Sequence, residues 1–227
     1  MNTFDAFSAR YSYRGKYLPI PIPREHLLKI MEAGCAAPSG CNKQTTSFLA
    51  VDDPEVLKKL KAVIDPPLGE TAPAFVCVLT QRIVAYRDRT FYIQDYSAAI
   101  ENALLAIADL GYASCWVEGH ITDIDRIGDK MATILGVPED YELIAYLPVG
   151  IPEAPGKRVR KVHRINKTQC EKTSHCVSFY FRLYSSISYP MPFSSPVSRV
   201  SARYQSSISS RLGNQVSQPV VVWTLVI

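Results

Sequence analysis

Ser39, Asn42 and Gln44 stand close together in the stretch Ala36-Ala37-Pro38-Ser39-Gly40-Cys41-Asn42-Lys43-Gln44. The residues around them are small. Pro38 cannot continue a helix, and Gly40 is free to take φ > 0. A turn of this kind exposes backbone N–H groups beside short polar side chains. That suits a planar, hydrogen-bonding ligand lying close to the main chain. Taken alone, the stretch is equally consistent with an ordinary helix-to-strand loop.

Phosphate chemistry is suggested further upstream, in Arg10-Tyr11-Ser12-Tyr13-Arg14-Gly15-Lys16. A guanidinium presents a planar fork to paired oxygens, and a serine hydroxyl adds a donor. A solvated basic turn is the commoner fate of such a run. Two more stretches carry polar groups: Ser114-Cys115-Trp116-Val117-Glu118-Gly119, and the basic Lys157-Arg158-Val159-Arg160-Lys161.

These stretches lie between elements that the periodicity predicts. A short helix is expected over 2–9. Leu18 to Pro23 is an extended connector, because proline pins φ. An amphipathic helix runs from Pro23 to Ala33, with proline in its first turn. A strand covers 46–51. Asp53 before Pro54 caps a helix to about Val63. Ala74 to Leu79 is a continuous apolar run, hence a buried central strand. Residues 81–94 give no clear pattern. A helix over 95–110, capped by Asp95, is apolar on more than one face, and Gly111 ends it. Tyr112 to Val117 reads as a strand. Thr122 or Asp123 caps a helix to about Leu135, stopped by Gly136, and Glu142 to Gly150 reads as a last core strand. Helices and strands alternate irregularly, with no repeated βαβ unit and no GxGxxG. The fold class is therefore α+β, a sheet with helices packed on it.

Composition narrows the function. The 227 residues suffice for one substantial core. The net charge is +4, but five basic residues and no acid follow from Lys172 onward, so residues 1–171 carry one net negative charge. Such a body is not a dedicated nucleic-acid binder. The six cysteines contain no CxxC pair, and the N-terminus lacks a signal-peptide pattern, so reduced thiols in a cytoplasmic protein are expected. His163, Cys170, His175 and Cys176 fit no zinc-finger spacing, and no metal is expected. The apolar run Val220 to Ile227 is too short to span a bilayer.

The chain resembles the short form of the nitroreductase family of FMN-dependent oxidoreductases. Four stretches match in order. Arg10-Tyr11-Ser12-Tyr13-Arg14 is similar to the family's Arg-x-Ser-x-Arg/Lys, and Ala37 to Gln44 to its Ala-Pro-Ser-x-x-Asn-x-Gln turn. Asp95 to Gly111 with Ser114 to Gly119 resembles the long central helix and the strand after it. Pro148-Val149-Gly150-Ile151-Pro152 with Lys157 and Arg158 resembles the end of the core. The resemblance covers about residues 7–161. It implies a mostly antiparallel central sheet flanked by helices, and a homodimer with FMN at the interface. It also implies a ping-pong reaction, in which NAD(P)H gives a hydride to flavin N5 and a nitroaromatic, quinone or flavin acceptor then takes the reducing equivalents. No dinucleotide fingerprint is required, because the nicotinamide stacks on the flavin.

On that resemblance Arg10, Ser12 and Arg14, with Tyr11 between them, meet the FMN phosphate. Lys157 or Arg158 does so from another side, helped by Arg160. Ser39, Asn42 and Gln44, beside Pro38, face the ribityl chain and the ring's polar edge. Glu118 and Gly119 lie near N5, where a backbone N–H can bond it, and Trp116 and Val117 form the wall behind the ring. No catalytic acid or base is assigned, since the hydride chemistry belongs to the cofactor. Two other readings compete. One keeps the flavin but performs reductive dehalogenation or flavin degradation; it would need a substrate-gripping lid in 81–94, which looks too short. The other is a non-catalytic interaction protein whose Ser/Arg tail contacts RNA or membrane.

The resemblance stops near Val162. Short family members close with an acidic, aromatic segment that reaches the partner subunit. Here residues 163–227 form a Ser-rich tail, with fourteen serines and no acid from Ser174 to Ile227. A disordered appendage, a small docking module and out-of-frame coding sequence are three readings of it. The abrupt loss of acids favours the third, which would weaken the dimer and its hold on flavin. Resequencing the coding region around codon 162 is expected to reveal a frame change; an intact frame sinks that reading.

Overall fold

The computed structural model describes residues 1–119 and 126–156, and the backbone of 223–225. These residues belong to one compact unit.

The core is a sheet of five strands: β1 (Thr46–Val51), β2 (Ala74–Thr80), β5 (Val117–Glu118), β6 (Glu142–Val149) and β7 (Trp223–Leu225). Their order is β5-β6-β2-β1-β7, and every pairing is antiparallel. Antiparallel sheets often leave one face to water. This one is covered on both, which explains the unbroken apolar runs in β1, β2 and β6.

Alternation along β1 divides the two layers. Phe48 and Ala50 join Val76, Val78 and Leu147 on one face, under helices α2 (Arg24–Cys35) and α4 (Tyr92–Asp109). Those helices contribute Leu27, Ile30, Met31, Ile100, Ala103, Leu104 and Ile107. Leu49 and Val51 join Phe75, Cys77, Leu79 and Tyr146 on the other face, under α3 (Pro54–Ala62) and α5 (Ile127–Leu135). Asp53 caps α3 as expected, accepting from the backbone N–H groups of Glu55 and Val56. The N-terminal α1 (Thr3–Ala9) is capped by Asn2 and packs along α4.

Several expectations change. Pro23 is the N-cap of α2 rather than a residue of its first turn. Helix α4 starts at Tyr92, with Phe91 as N-cap, so Asp95 caps nothing and lies inside the first turn. Residues 81–94 are ordered. They form a hairpin of β3 (Val84–Tyr86) and β4 (Arg89–Thr90), turned by left-handed Arg87 and Asp88, which leads directly into α4. The strand expected over 112–117 survives as β5 and as single bridges at Ala113 and Ser114, because the chain there pairs with two different neighbours. The proposed caps Thr122 and Asp123 lie outside the described residues, as do His163, Cys170, His175 and Cys176. Among the described residues no cluster of His, Cys, Asp and Glu could hold a metal ion, and no helix is long and apolar enough to cross a membrane.

Gly34 sits where α2 presses on β1. A Cβ there would lie 2.3 Å from the ring of Phe48, which is fully buried. In an exposed helix Gly→Ala gains about 1 kcal/mol. Here overpacking of about 1–3 kcal/mol outweighs that gain. Gly34→Ala is therefore expected to lower the urea midpoint; a raised midpoint would contradict this packing.

Candidate functional site

The 39–44 turn is built as an unusual loop. Gly40–Asn42 form a single 3-10 turn, and Cys41, Asn42 and Gln44 all take left-handed backbone, at φ 52, 53 and 50. Each such residue costs about 1–3 kcal/mol and persists only where its surroundings enforce it. Several bonds do so. Ser39 Oγ accepts the Gln44 N–H at 2.9 Å, and Ser39 and Gly40 carbonyls accept from Asn42 and Lys43 at 3.0 and 3.1 Å. Asp95, buried at 4% exposure, accepts the Gly40 N–H at 2.7 Å and the Thr45 hydroxyl at 2.7 Å. The side chains of Cys41, Asn42 and Gln44 are left exposed beside Pro38.

Gly40 itself does not take positive φ. Its missing side chain serves close approach instead, since a Cβ there would lie 2.6 Å from Phe91.

The basic stretch is extended and alternates. Tyr13 and Tyr17 are buried in the core, while Ser12, Arg14 and Lys16 are exposed. Backbone pairing pins it on both sides. Tyr13 N–H donates to Ser114 at 2.8 Å, Leu18 N–H to Ile151 at 2.9 Å, and Glu153 N–H to Lys16 at 2.8 Å. Three of the four stretches singled out in the sequence thus meet at one place. Beside the first of them opens a pocket of about 400 Å³, lined by residues 12–16 and 153–156. Tyr11 packs over Gly156, where a Cβ would lie 2.1 Å from its ring.

Arg10 behaves differently. Its Nε lies 3.3 Å from Glu101 of α4, and it lines a separate crevice between α1 and α4. Lys16 takes its place in the exposed row. The signal for Lys16 was the alternation of polar residues at 12, 14 and 16 with tyrosines at 11, 13 and 17.

Around residue 116 the expected wall divides. Val117 is buried in the layer of α3 and α5, whereas Trp116 packs beside the layer of α2 and α4. Trp116 meets Tyr96 edge-on, with centroids 6.3 Å apart. The Tyr96 hydroxyl has its pKa raised, by burial first and then by the Glu118 carboxylate. Gly119 N–H donates to Ile144 O at 2.7 Å, and a Cβ at Gly119 would lie 2.8 Å from Leu143 O. A backbone donor offered to a ligand here is therefore not that of Gly119, because the sheet has taken it.

Buried polar atoms test whether these residues suit an FMN. Trp116 Nε1 and Thr46 Oγ1 are buried without a hydrogen-bond partner among the described residues. Unmet buried donors are costly, and a polar ligand relieves them. With cationic side chains on one pocket and a donor-rich loop elsewhere, the residues present fit a phosphorylated, planar ligand. Lys157, Arg158 and Arg160 lie outside the described residues, as does His120.

A family model described as "Nitroreductase family" matches residues 7–65 and 63–151. The chain belongs to the nitroreductase family. A Methanothermobacter thermautotrophicus relative bears the provisional name NADH dehydrogenase/NAD(P)H nitroreductase. It is 30% identical over 162 residues, covering 70% of this chain and 82% of the relative. Among solved structures, a Bacteroides fragilis nitroreductase with bound FMN aligns at TM-score 0.60 and 26% identity, covering 73% of this chain and 97% of its own. A more distant relative is the Rattus norvegicus iodotyrosine deiodinase 1, 23% identical over 58% of this chain and 56% of its own length.

The nitroreductase-family loop carries the most accessible thiol of this region. Cys41 is exposed, while burial pushes the Cys77 thiol up to about 12 and also raises that of Cys115, against the opposing pull of Arg14. Thiolate is the reactive form. Iodoacetamide at pH 8 is expected to alkylate Cys41 and spare Cys77 and Cys115 in the folded protein. Peptide mass mapping that finds Cys77 modified as fast as Cys41 would contradict this arrangement.

Proposed function

We propose that this protein is an oxidoreductase that passes reducing equivalents from NAD(P)H to a nitroaromatic, quinone or flavin acceptor in two successive half-reactions. The enzyme is of the NAD(P)H-dependent nitroreductase type, with FMN as cofactor. Bound FMN supplies the hydride chemistry, accepting from one substrate and donating to the next. The observation that carries the reading is the exposed row of Ser12, Arg14 and Lys16 along one pocket, pinned to Ser114 and to residues 151–153.

The residues divide the work. Ser12 and Arg14 hold the phosphate, joined by Lys16 and by Lys157, Arg158 and Arg160. Tyr11 backs that pocket. Arg10, paired with Glu101, anchors the start of the row to α4 instead of gripping phosphate directly. Ser39, Asn42 and Gln44 orient the polar edge of the ring and the ribityl chain. Trp116 and Tyr96 exclude water beside the ring, and Glu118 lies near its reactive edge. Residues 1–162 carry the flavin-binding domain, and of the 163–227 tail the backbone of Trp223–Leu225 adds an edge strand to its sheet. The chain works as a homodimer whose sites draw on both subunits; exposed Phe4, Phe7 and Ile93 support a partner on the α1/α4 side. Against the dehalogenating alternative stands the hairpin 84–90, whose strands are three and two residues long.

The full-length protein mixed with FMN is expected to bind it and to show flavin bands that NADPH or NADH bleaches anaerobically. A quinone or nitroaromatic should restore them. Arg14→Ala should weaken FMN binding about tenfold or more, through loss of a charge-assisted phosphate contact. Failure of the wild-type protein to bind FMN would refute this function.

A further inference from the structure

An acid in the first turn of a helix usually stands in solvent or caps the helix. Asp95 does neither. It is buried, and its two carboxylate oxygens each accept one hydrogen bond, from Gly40 N–H and from the Thr45 hydroxyl. These donors flank the left-handed residues Cys41, Asn42 and Gln44. One carboxylate therefore holds both ends of a strained loop. Phe91, just before α4, fills the space over Gly40, and Tyr96, just after Asp95, meets Trp116. The first turn of α4 thus ties the loop to the aromatic wall.

We propose that Asp95 is a positioning residue for the ring end of the flavin. It holds the 39–45 loop in its strained form, so that Ser39, Asn42 and Gln44 meet the ligand with their geometry already set. The inference rests on the flavin reading above. Asp95 is buried with both oxygens turned to the loop, so it acts through the loop and not by contact. Without it the loop must be ordered when ligand binds, and that cost appears as lost affinity. The phosphate row stands on a different segment. The two ends of the ligand can therefore be separated by comparing FMN with riboflavin, which keeps the ring and ribityl chain and lacks the phosphate.

The test uses the full chain as wild type, Asp95→Ala, Asp95→Asn and Thr45→Val. Quenching of flavin fluorescence gives the Kd for FMN and for riboflavin, and the thermal midpoint is measured without flavin. Asp95→Ala is expected to weaken both ligands by the same factor, about tenfold to a hundredfold, as for loss of hydrogen bonds to a charged group. Asp95→Asn and Thr45→Val should each show a smaller, equal loss for both ligands, since one bond of the pair survives. A purely structural Asp95 would lower the thermal midpoint while leaving both affinities unmoved below it, and that result overturns the proposal. So does a loss confined to FMN, which would place the effect at the phosphate. If Asp95→Ala does not fold, Thr45→Val and Asp95→Asn decide by the same criteria. Wild-type protein that binds neither ligand overturns the flavin reading itself, whereas wild-type binding with unmoved variants overturns only the role of Asp95.

Discussion

A carboxylate buried beneath a helix must find donors, and Asp95 finds them across the fold in a loop that follows another helix. An unpartnered buried charge would cost several kcal/mol. The requirement therefore acts in both directions: the loop is held by the acid, and the acid is tolerable only because of the loop. Helix α4 is fixed in turn by Ile100, Ala103, Leu104 and Ile107 on the sheet. The loop runs directly into β1, whose alternate residues enter both core layers. One pair of bonds thus links the loop to the helix and sheet of the core.

The remainder of the site uses another means of support. Among the described residues, the segment carrying Ser12, Arg14 and Lys16 has little side-chain anchoring on its polar side. It is held by main-chain pairing to Ser114 and to residues 151–153, and by Tyr13 and Tyr17 beneath. Such a segment can present cations outward because its other face is aromatic and buried. Tyr13 and Tyr17 meet edge-on at 5.1 Å, a geometry that suits opposed ring quadrupoles. The Ser12–Lys16 row and the 39–45 loop are consequently positioned by different parts of the fold.

What could be read in the sequence was whatever local pattern encodes. Unbroken apolar runs located β1, β2 and β6, and Asp53 before Pro54 located the start of α3. The order of four polar stretches pointed to the family. What could not be read depends on partners distant in sequence. Asp95 resembles a helix cap because an acid before an apolar helical run usually is one; its true partners lie fifty-odd residues upstream. Nothing local identifies Glu101 as the ion-pair partner of Arg10. Gly40 looked like a positive-φ position, but the ring of Phe91 is what forbids a side chain there. Nothing local shows that the Gly119 N–H is taken, because its acceptor, Ile144 O, belongs to a strand formed later in the chain. Lys16 is the exception, since the alternation that exposes it is itself local.

Strand β1 has one neighbour that comes from the core and one that does not. On its outer side the backbone of Trp223–Leu225 pairs with Phe48, Leu49 and Ala50, half the length of the strand. Ladder bonds join main-chain atoms, so an extended segment of almost any composition can seal an edge if it lacks proline. A tail so unlike the core in composition can therefore still shield it. Chains shortened before residue 223 would bare a row of N–H and C=O groups along an apolar strand, a template for sheet growth from one molecule to the next. The last few residues thus bear on colloidal behaviour and shelf life, a property separate from the chemistry of the site.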